Sequence, residues 1–149
     1  MSANEIDSSK NPLIVKRIFD APAERVFDAW LDSDAAGRWL FATPGGKMHS
    51  VKIDPQVGGE FEFIDNRGDE LTRHIGTYLE IDRPRRLVFT FAVPQYSEEF
   101  TKVTIDIVPL DSGCELTLTH EGVLPEWRES TFDGWTMILN GLAENLTKA

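Results

Sequence analysis

The spacing of hydrophobic residues in this chain changes from a helical period to a two-residue alternation near residue 48, and returns to a helical period near residue 130. Alternation is clear in FEF (61–63), VTIDI (103–107) and CELTLTH (114–120). Turn-forming stretches such as VGG and DSG separate these segments, and connections this short join antiparallel neighbours. A strand-rich centre between helical ends predicts an α+β fold, in which an antiparallel sheet packs helices on one face.

Two short helices are predicted after a first strand. LIVKRIFD (13–20) is a β-branched run typical of a strand. APAERVFDAWLDSD follows it with a helical spacing that places Phe27 and Trp30 on an apolar face. A second short helix, at about 34–41, can begin in the DSD cluster and carries Trp39. About six strands then precede the last helix.

The last helix, predicted at about 130–146, keeps Gly134 and Gly141 although a glycine inside a helix costs about 1 kcal/mol relative to alanine. Ser130 is the predicted N-cap, and Asp133 occupies an acidic capping-box position. The predicted apolar face comprises Phe132, Trp135, Ile138, Leu139, Leu142 and Leu146. Both glycines lie at its edge. Either a neighbouring segment packs closely there, or the space is left for something else, or the NG at 140–141 ends the helix, which the apolar spacing beyond it disfavours.

Composition excludes several classes of function. The 149 residues suit a single domain, placed at 13–149 after a polar tail at 1–12. A formal charge of −10 argues against nucleic acid and against an anchor on anionic lipid. The single cysteine, Cys114, excludes an internal disulfide and suits a reducing compartment. No apolar run is long enough for a membrane span and no signal-peptide pattern is present, so we expect a cytoplasmic protein.

No cofactor or metal is predicted. PGGKMHS (44–50) lacks the spacing of a P-loop, and VGGEF lacks the glycine pattern of a dinucleotide site. His49, His74, His120 and Cys114 lack a spacing that would bind zinc. Cys114 has no nearby histidine in the sequence and is interpreted as a small apolar residue rather than a nucleophile.

Two histidines receive different predictions. His120 lies on the apolar face of CELTLTH, so it is either a buried histidine bonded to backbone or water, or a polar group in an apolar ligand pocket. His74 alternates away from Ile75, Leu79 and Ile81, so it is predicted to be solvated or at a rim.

Five stretches in order resemble a known family: FDAPAERVFDAWLDSDAAGRW, VGGEFEF, GTYLEIDRPRRLVFTF, ELTLTHEG and GWTMILNGLAENL. They are similar to the activator of heat-shock-protein-90 ATPase homologue family, a branch of the START-like superfamily that includes birch-pollen-allergen-like proteins and polyketide cyclases. The resemblance runs from about residue 13 to 146. It implies a helix-grip fold: a curved antiparallel sheet of six to seven strands around a long C-terminal helix, with two short helices after strand 1 and a cavity between sheet and helix.

Two departures from the family pattern are visible. Where relatives often have paired tryptophans followed soon by proline, this chain has Trp39–Leu40 and then FATP, which alters the predicted cavity wall. The eukaryotic co-chaperone of the family carries an N-terminal domain before this one, and nothing in the sequence corresponds to it. Co-chaperone activity is therefore not expected from the family name.

The leading functional hypothesis is a binding module for a small hydrophobic or amphipathic molecule. The predicted pocket residues are Trp39, Phe61, Phe63, Phe91, Leu118, His120, Trp135 and Leu139. One alternative is a chaperone-interacting protein. Another is a cyclase- or hydrolase-like enzyme acting on aromatic or polyketide-like compounds; His120, and Tyr78 or Glu121, are its candidate acid–base groups, but no partner is identifiable and no catalytic residue is assigned.

Overall fold

A computed structural model describes residues 12–33, 36, 39–40, 47–67, 70–94, 100–123 and 125–147 of the chain. Its strands are β1 (Leu13–Phe19), β2 (Lys47–Ile53), β3 (Glu60–Arg67), β4 (Glu70–Asp82), β5 (Arg86–Phe91), β6 (Thr101–Leu110) and β7 (Gly113–Glu121). Its α-helices are α1 (Ala23–Leu31) and α2 (Arg128–Thr147), and a 3-10 turn at Pro125–Trp127 leads into α2. The predicted α+β class and the long C-terminal helix are confirmed.

The strands form one antiparallel sheet in the order β1-β7-β6-β5-β4-β3-β2. Strands β2 to β7 follow one another as hairpin-type neighbours, as their short connections predict. Strand β1 instead joins the far edge and pairs with β7, with Leu13 opposite His120 and Phe19 opposite Cys114. The prediction of six to seven strands is therefore confirmed at seven in the part of the chain that the structure describes.

Helix α1 buries the face that its spacing predicts, including Val26, Phe27 and Trp30. The second short helix is only partly covered by the described residues. Helical hydrogen bonds run from the Ala36 amide to the Asp32 carbonyl (2.7 Å) and from the Leu40 amide to the Ala36 carbonyl (2.8 Å). The rest of the predicted 34–41 segment lies outside the described residues.

Helix α2 begins at Arg128, two residues before the predicted N-cap. The Ser130 hydroxyl donates to the carbonyl of Trp127 (3.1 Å), so Ser130 lies inside the first turn and the capping prediction is wrong. The reason is the 3-10 turn, which starts the helical path earlier than the sequence pattern does. The side chain of Phe132 is 42% exposed, so it also departs from the predicted buried face. The helix continues past Gly141 to Thr147, so the NG does not end it.

The two glycines of α2 have different surroundings. A methyl group added at Gly141 would meet the Cβ of Trp39 at 3.6 Å and the Trp39 backbone at 3.9 Å. A neighbouring segment therefore packs closely there, which is the first of the three alternatives. A methyl group added at Gly134 would meet nothing within 4 Å, so close packing does not explain that glycine.

His74 is buried, contrary to the prediction that it is solvated or at a rim. The cause is a register shift in β4 between Tyr78 and Glu80. An extra residue at such a bulge reverses the alternation beyond it. Ile81 packs on the core, whereas Leu79 on the other side of the bulge is exposed. The prediction extended the two-residue alternation from Ile81 back through the bulge, and it therefore assigned His74 to the wrong face of the sheet.

Cys114 is buried and has a free thiol, in agreement with its interpretation as a small apolar residue. Burial raises the pKa of this thiol, which favours the uncharged form. No helix in the described part of the chain is both long enough and apolar enough to cross a membrane.

Candidate functional site

The candidate site is the side-chain layer between α2 and the inner face of the sheet. The backbone of α2 approaches the sheet most closely at β1, where Arg17 donates a hydrogen bond to the side chain of Asn140. Over the middle of the sheet, aromatic rings fill the interval. The ring of Trp135 on α2 lies 6.2 Å from that of Phe91 and 6.4 Å from that of Trp30, measured between centroids. Side chains, and not close backbone contacts, therefore fill the space between α2 and the middle of the sheet.

The structure brings the eight predicted pocket residues into this one layer. Trp39, Phe61, Phe63, Leu118, His120, Trp135 and Leu139 are buried, and Phe91 is partly buried against them. The prediction did not include Trp30, Leu40, Tyr78, Leu87 and Phe89, which belong to the same core. The apolar spacing of α1 gave a signal for Trp30, because a buried helix face must pack on the same core as the sheet.

An interior cavity of about 10 Å³ lies within this layer. Its lining consists of Trp30, Leu40, Phe61, Phe63, Tyr78, Leu87 and Phe89. A volume of this size holds about one water molecule. This space, bounded by described residues, is too small for a larger ligand, which requires the rings or α2 to move.

A chain of hydrogen bonds, here called the latch, connects α2 to the sheet through Trp135, His120 and Thr101. The indole N–H of Trp135 donates to Nδ1 of His120 (3.0 Å). The Nε2 of His120 lies 2.7 Å from the Thr101 hydroxyl, which donates to the carbonyl of Phe91 (3.0 Å). Because Nδ1 accepts and the hydroxyl donates elsewhere, His120 is neutral with its proton on Nε2. Every polar atom of the latch is satisfied.

Burial lowers the pKa of His120 to about 4, since the buried ring is disfavoured in its charged form. The neutral state agrees with the hydrogen bonds, because a second proton on Nδ1 would face the indole N–H of Trp135. The structure agrees with the first interpretation of His120, a buried histidine whose ring nitrogens are both hydrogen-bonded. Its partners are the side chains of Trp135 and Thr101 rather than backbone or water.

No hydrogen bond or ion pair between the three candidate acid–base groups is present among the described residues. Glu121 follows His120 on the strand, and its carboxylate lies 3.3 Å from the ammonium of Lys102 on the neighbouring strand. Burial, followed by the negative charge of Asp54, raises the pKa of Tyr78, so its hydroxyl stays protonated. The two ring nitrogens of His120 are both engaged in the latch. We assign no proton-transfer role to this arrangement.

Two tryptophans of the same layer, here called the indole pair, lie beside the latch, because the ring of Trp30 is a neighbour of the Trp135 ring. The rings of Trp30 and Trp39 meet edge to face, with centroids 4.7 Å apart and planes at 87°. Within the described part of the chain, neither Nε1 has a hydrogen-bond acceptor, although both atoms are buried. The backbone of Trp39 is also the segment that packs against Gly141.

Open grooves lined by described residues also lie outside the layer. One, of about 470 Å³, lies beside β2, β3 and β4, and charges of both signs line it, including Lys52, Glu60 and Arg73, together with Phe100. Another, of about 420 Å³, lies between the start of β1 and the start of α2 and includes Ile14 and Phe132. Among the residues that the structure describes, no three His, Cys, Asp or Glu side chains are placed to bind a metal together.

Comparison with known proteins agrees with this geometry. The family described as "Activator of Hsp90 ATPase homolog 1-like protein" matches residues 20–147. None of the curated protein sequences matches the chain significantly.

Solved structures extend the comparison. Protein CV1439 from Chromobacterium violaceum is similar at 28% identity and a TM-score of 0.82, over 90% of this chain and 95% of that one. Protein SA2116 from Staphylococcus aureus, described as of unknown function, has 12% identity and a TM-score of 0.83, over 93% and 94% of the two chains. CalU16 from Micromonospora echinospora has 23% identity and a TM-score of 0.69, over 89% and 73%. The last two likenesses concern the fold alone.

Proposed function

We propose that this chain, which belongs to the Activator of Hsp90 ATPase homolog 1-like family within the START-like superfamily, is a binding protein. Its ligand is a small hydrophobic or amphipathic molecule held between the sheet and α2. The observation that carries the proposal is the composition of the layer. Over the middle of the sheet, α2 makes few close backbone contacts, and aromatic rings fill the space between the two. Apolar and aromatic side chains line most small-molecule pockets, so a ligand that displaces some of these rings meets a lining of similar chemistry.

In this proposal the ligand enters when α2 separates from the inner face of the sheet at one end. The latch bond from Trp135 to His120 joins α2 directly to β7, so it opposes this separation. An amphipathic ligand offers a replacement, because its polar group can occupy the position at His120 that the indole N–H leaves. The ligand binds only after the latch has opened, so the closed state lowers the apparent affinity for the ligand. A substitution that weakens the latch therefore raises this apparent affinity.

The test is a titration with the neutral fluorescent probe N-phenyl-1-naphthylamine, with native mass spectrometry of the freshly purified protein to detect a retained ligand. We expect wild-type protein to bind the probe and Trp135→Phe, which keeps a ring but removes the donor, to bind it several-fold more tightly. Trp127→Phe is the matched control, because Trp127 is half exposed on the surface. If wild type and Trp135→Phe both fail to bind the probe, and no ligand is retained, the proposal is wrong.

A chaperone contact is a second candidate. The observation that favours it is the groove between β1 and α2, at which Ile14 and Phe132 expose 47% and 42% of their side chains. We nevertheless expect the protein to cause little or no increase in the ATP turnover of a heat-shock-protein-90 homologue, since a charge of −10 offers no extended basic surface. A several-fold increase at stoichiometric protein would make the chaperone role the leading one.

A further inference from the structure

The indole pair differs from most buried polar groups in proteins. Trp30 and Trp39 are 1% and 2% exposed, and in the described residues neither indole N–H has an acceptor. Buried donors are almost always paired, because leaving one unpaired costs about 1–3 kcal/mol. Two such donors in contact therefore call for a physical explanation.

The edge-to-face geometry explains one of the two donors at most. In this arrangement the edge of one indole meets the π face of the other, and an N–H at that edge gains a weak interaction with the ring. The second N–H cannot be satisfied in the same way, because its own ring supplies the face. Trp30 borders the 10 Å³ cavity, whereas Trp39 is not among the residues that line it. Of the two indoles, Trp30 is therefore the one whose side chain borders space that an acceptor atom could occupy.

The chemistry of the cavity wall restricts which acceptor fits. The lining residues that the structure describes carry no charge at neutral pH, and Tyr78 is the one polar residue besides Trp30. A carboxylate or phosphate placed there would lose its hydration without gaining a counterion, which is strongly unfavourable. A neutral oxygen loses less hydration and regains a hydrogen bond from the indole. The volume of about 10 Å³ matches one oxygen atom rather than a charged group with its shell.

We propose that Trp30 selects, among ligands of the interior site, neutral molecules that carry a hydrogen-bond acceptor oxygen, such as a ketone, ester or ether. This inference rests on the proposed function, since it names the ligand class of the same layer. The oxygen occupies the cavity beside the indole N–H of Trp30, and the apolar body of the ligand displaces ring contacts of the layer. Fatty-acid anions and other charged amphiphiles are disfavoured at this position.

The test compares indane with 1-indanone, which share a bicyclic skeleton and differ in one carbonyl group. Both are titrated by displacement of N-phenyl-1-naphthylamine from wild type, Trp30→Phe and Trp39→Phe. The measured quantity is the ratio of the two dissociation constants, because general effects of a substitution on the layer cancel in the ratio. We expect Trp30→Phe to shift the ratio about tenfold against 1-indanone, which corresponds to the loss of one buried hydrogen bond. Trp39→Phe, the matched control, leaves the ratio as in wild type.

A measurement on wild-type protein guards against variants that fail to fold. In a ¹H–¹⁵N spectrum, the indole N–H resonance of Trp30 moves downfield with 1-indanone and much less with indane, because only the ketone accepts a hydrogen bond. If both compounds bind but the ratio and the Trp30 resonance are the same with and without the carbonyl, the inference is wrong and the proposed function stands. If neither compound binds wild type or displaces bound probe, the inference is wrong, and the proposed function is wrong as well only if the probe itself binds neither wild type nor Trp135→Phe and no ligand is retained.

Discussion

The latch and the indole pair are neighbours in the aromatic layer and their aromatic rings are all buried, but their polar atoms differ in whether they have hydrogen-bond partners. At the latch, the N–H of Trp135, both nitrogens of His120 and the hydroxyl of Thr101 are all in hydrogen bonds. At the indole pair, the N–H groups of Trp30 and Trp39 have no acceptor within the described structure. Burial alone therefore does not distinguish a structural polar group from a candidate binding group. The distinction is whether the folded chain already supplies the partner.

The largest effect is expected from removing the centre of the latch. His120→Ala leaves the N–H of Trp135 without its acceptor and creates a cavity beneath α2. We expect a loss of about 4 kcal/mol in the free energy of unfolding, measured by urea denaturation at pH 7. A loss below about 1 kcal/mol would contradict the view that the latch holds α2 on the sheet.

The pH dependence of stability tests the same histidine. Its pKa is about 4 in the folded protein and 6.5 in the unfolded chain, so the unfolded state binds more protons between these values. Stability is therefore fully present above about pH 6.5 and falls as the pH decreases toward 4. The total loss is about 3 kcal/mol.

The control for this pH effect is His120→Gln, whose amide can accept from Trp135 and donate to Thr101 but does not titrate. Urea denaturation at pH 7 and pH 4.5 should show a smaller difference for this variant than for wild type. The pKa of Asp28, lowered from 3.8 by its hydrogen bond to Arg83, acts at more acidic pH and leaves this window largely unaffected. Equal pH profiles for the two proteins would show that His120 is already solvated.

The same Trp→Phe substitution in the latch and in the indole pair sharpens the comparison. Trp135→Phe removes a donor that His120 uses, whereas Trp30→Phe removes a donor that has no acceptor in the described part of the chain. Both lose similar ring volume, so we expect Trp135→Phe to be more destabilising by about 1–2 kcal/mol. Thermal and urea denaturation of the pair measure this difference directly. If the two losses are equal, the latch bond contributes nothing net.

The smallest effect concerns the glycines of α2. Gly134→Ala places a methyl group in open space and should stabilise the protein by about 0.5–1 kcal/mol through helix propensity. Gly141→Leu is the contrasting variant, because its side chain extends toward Trp39, whose Cβ lies 3.6 Å from the position that a methyl group on residue 141 would take. We expect Gly141→Leu to destabilise and to change probe binding at the indole pair. Equal stability of both variants would rule out close packing at Gly141.

Much of the fold follows from local sequence patterns. The alternation in CELTLTH correctly places Cys114, Leu116, Leu118 and His120 on the buried face, because no bulge interrupts β7. The burial of His74 could not be predicted in the same way, because a register shift in β4 leaves no mark in the hydrophobic pattern. The start of α2 is also misplaced, because the 3-10 turn before it carries no distinctive capping residue.

The burial of the predicted pocket residues followed from the sequence, but the geometry of the layer that they form did not. The hydrophobic periodicity of strands and helices shows which large side chains point inward, and these are the residues of the layer. Whether those side chains leave a cavity depends on how their rings pack against one another. That packing joins residues distant in the sequence, so it cannot be predicted from local sequence patterns. The unpaired N–H of Trp30 is a further case, because only the positions of all its described neighbours show that no acceptor among them reaches it.

The pairing of β1 with β7 has a consequence for the order of folding. Of the seven strands, β1 leaves the ribosome first, but its partner in the sheet is the last of them. Hairpins such as β3–β4 and β6–β7 join near neighbours and close quickly, whereas the β1–β7 contact spans most of the sequence and carries a high loop-closure cost. Because α2 approaches the sheet most closely at β1, the helix can complete its docking only after that late contact forms. Until then α1 can cover part of the apolar side of the sheet, but the part that α2 covers stays exposed to solvent.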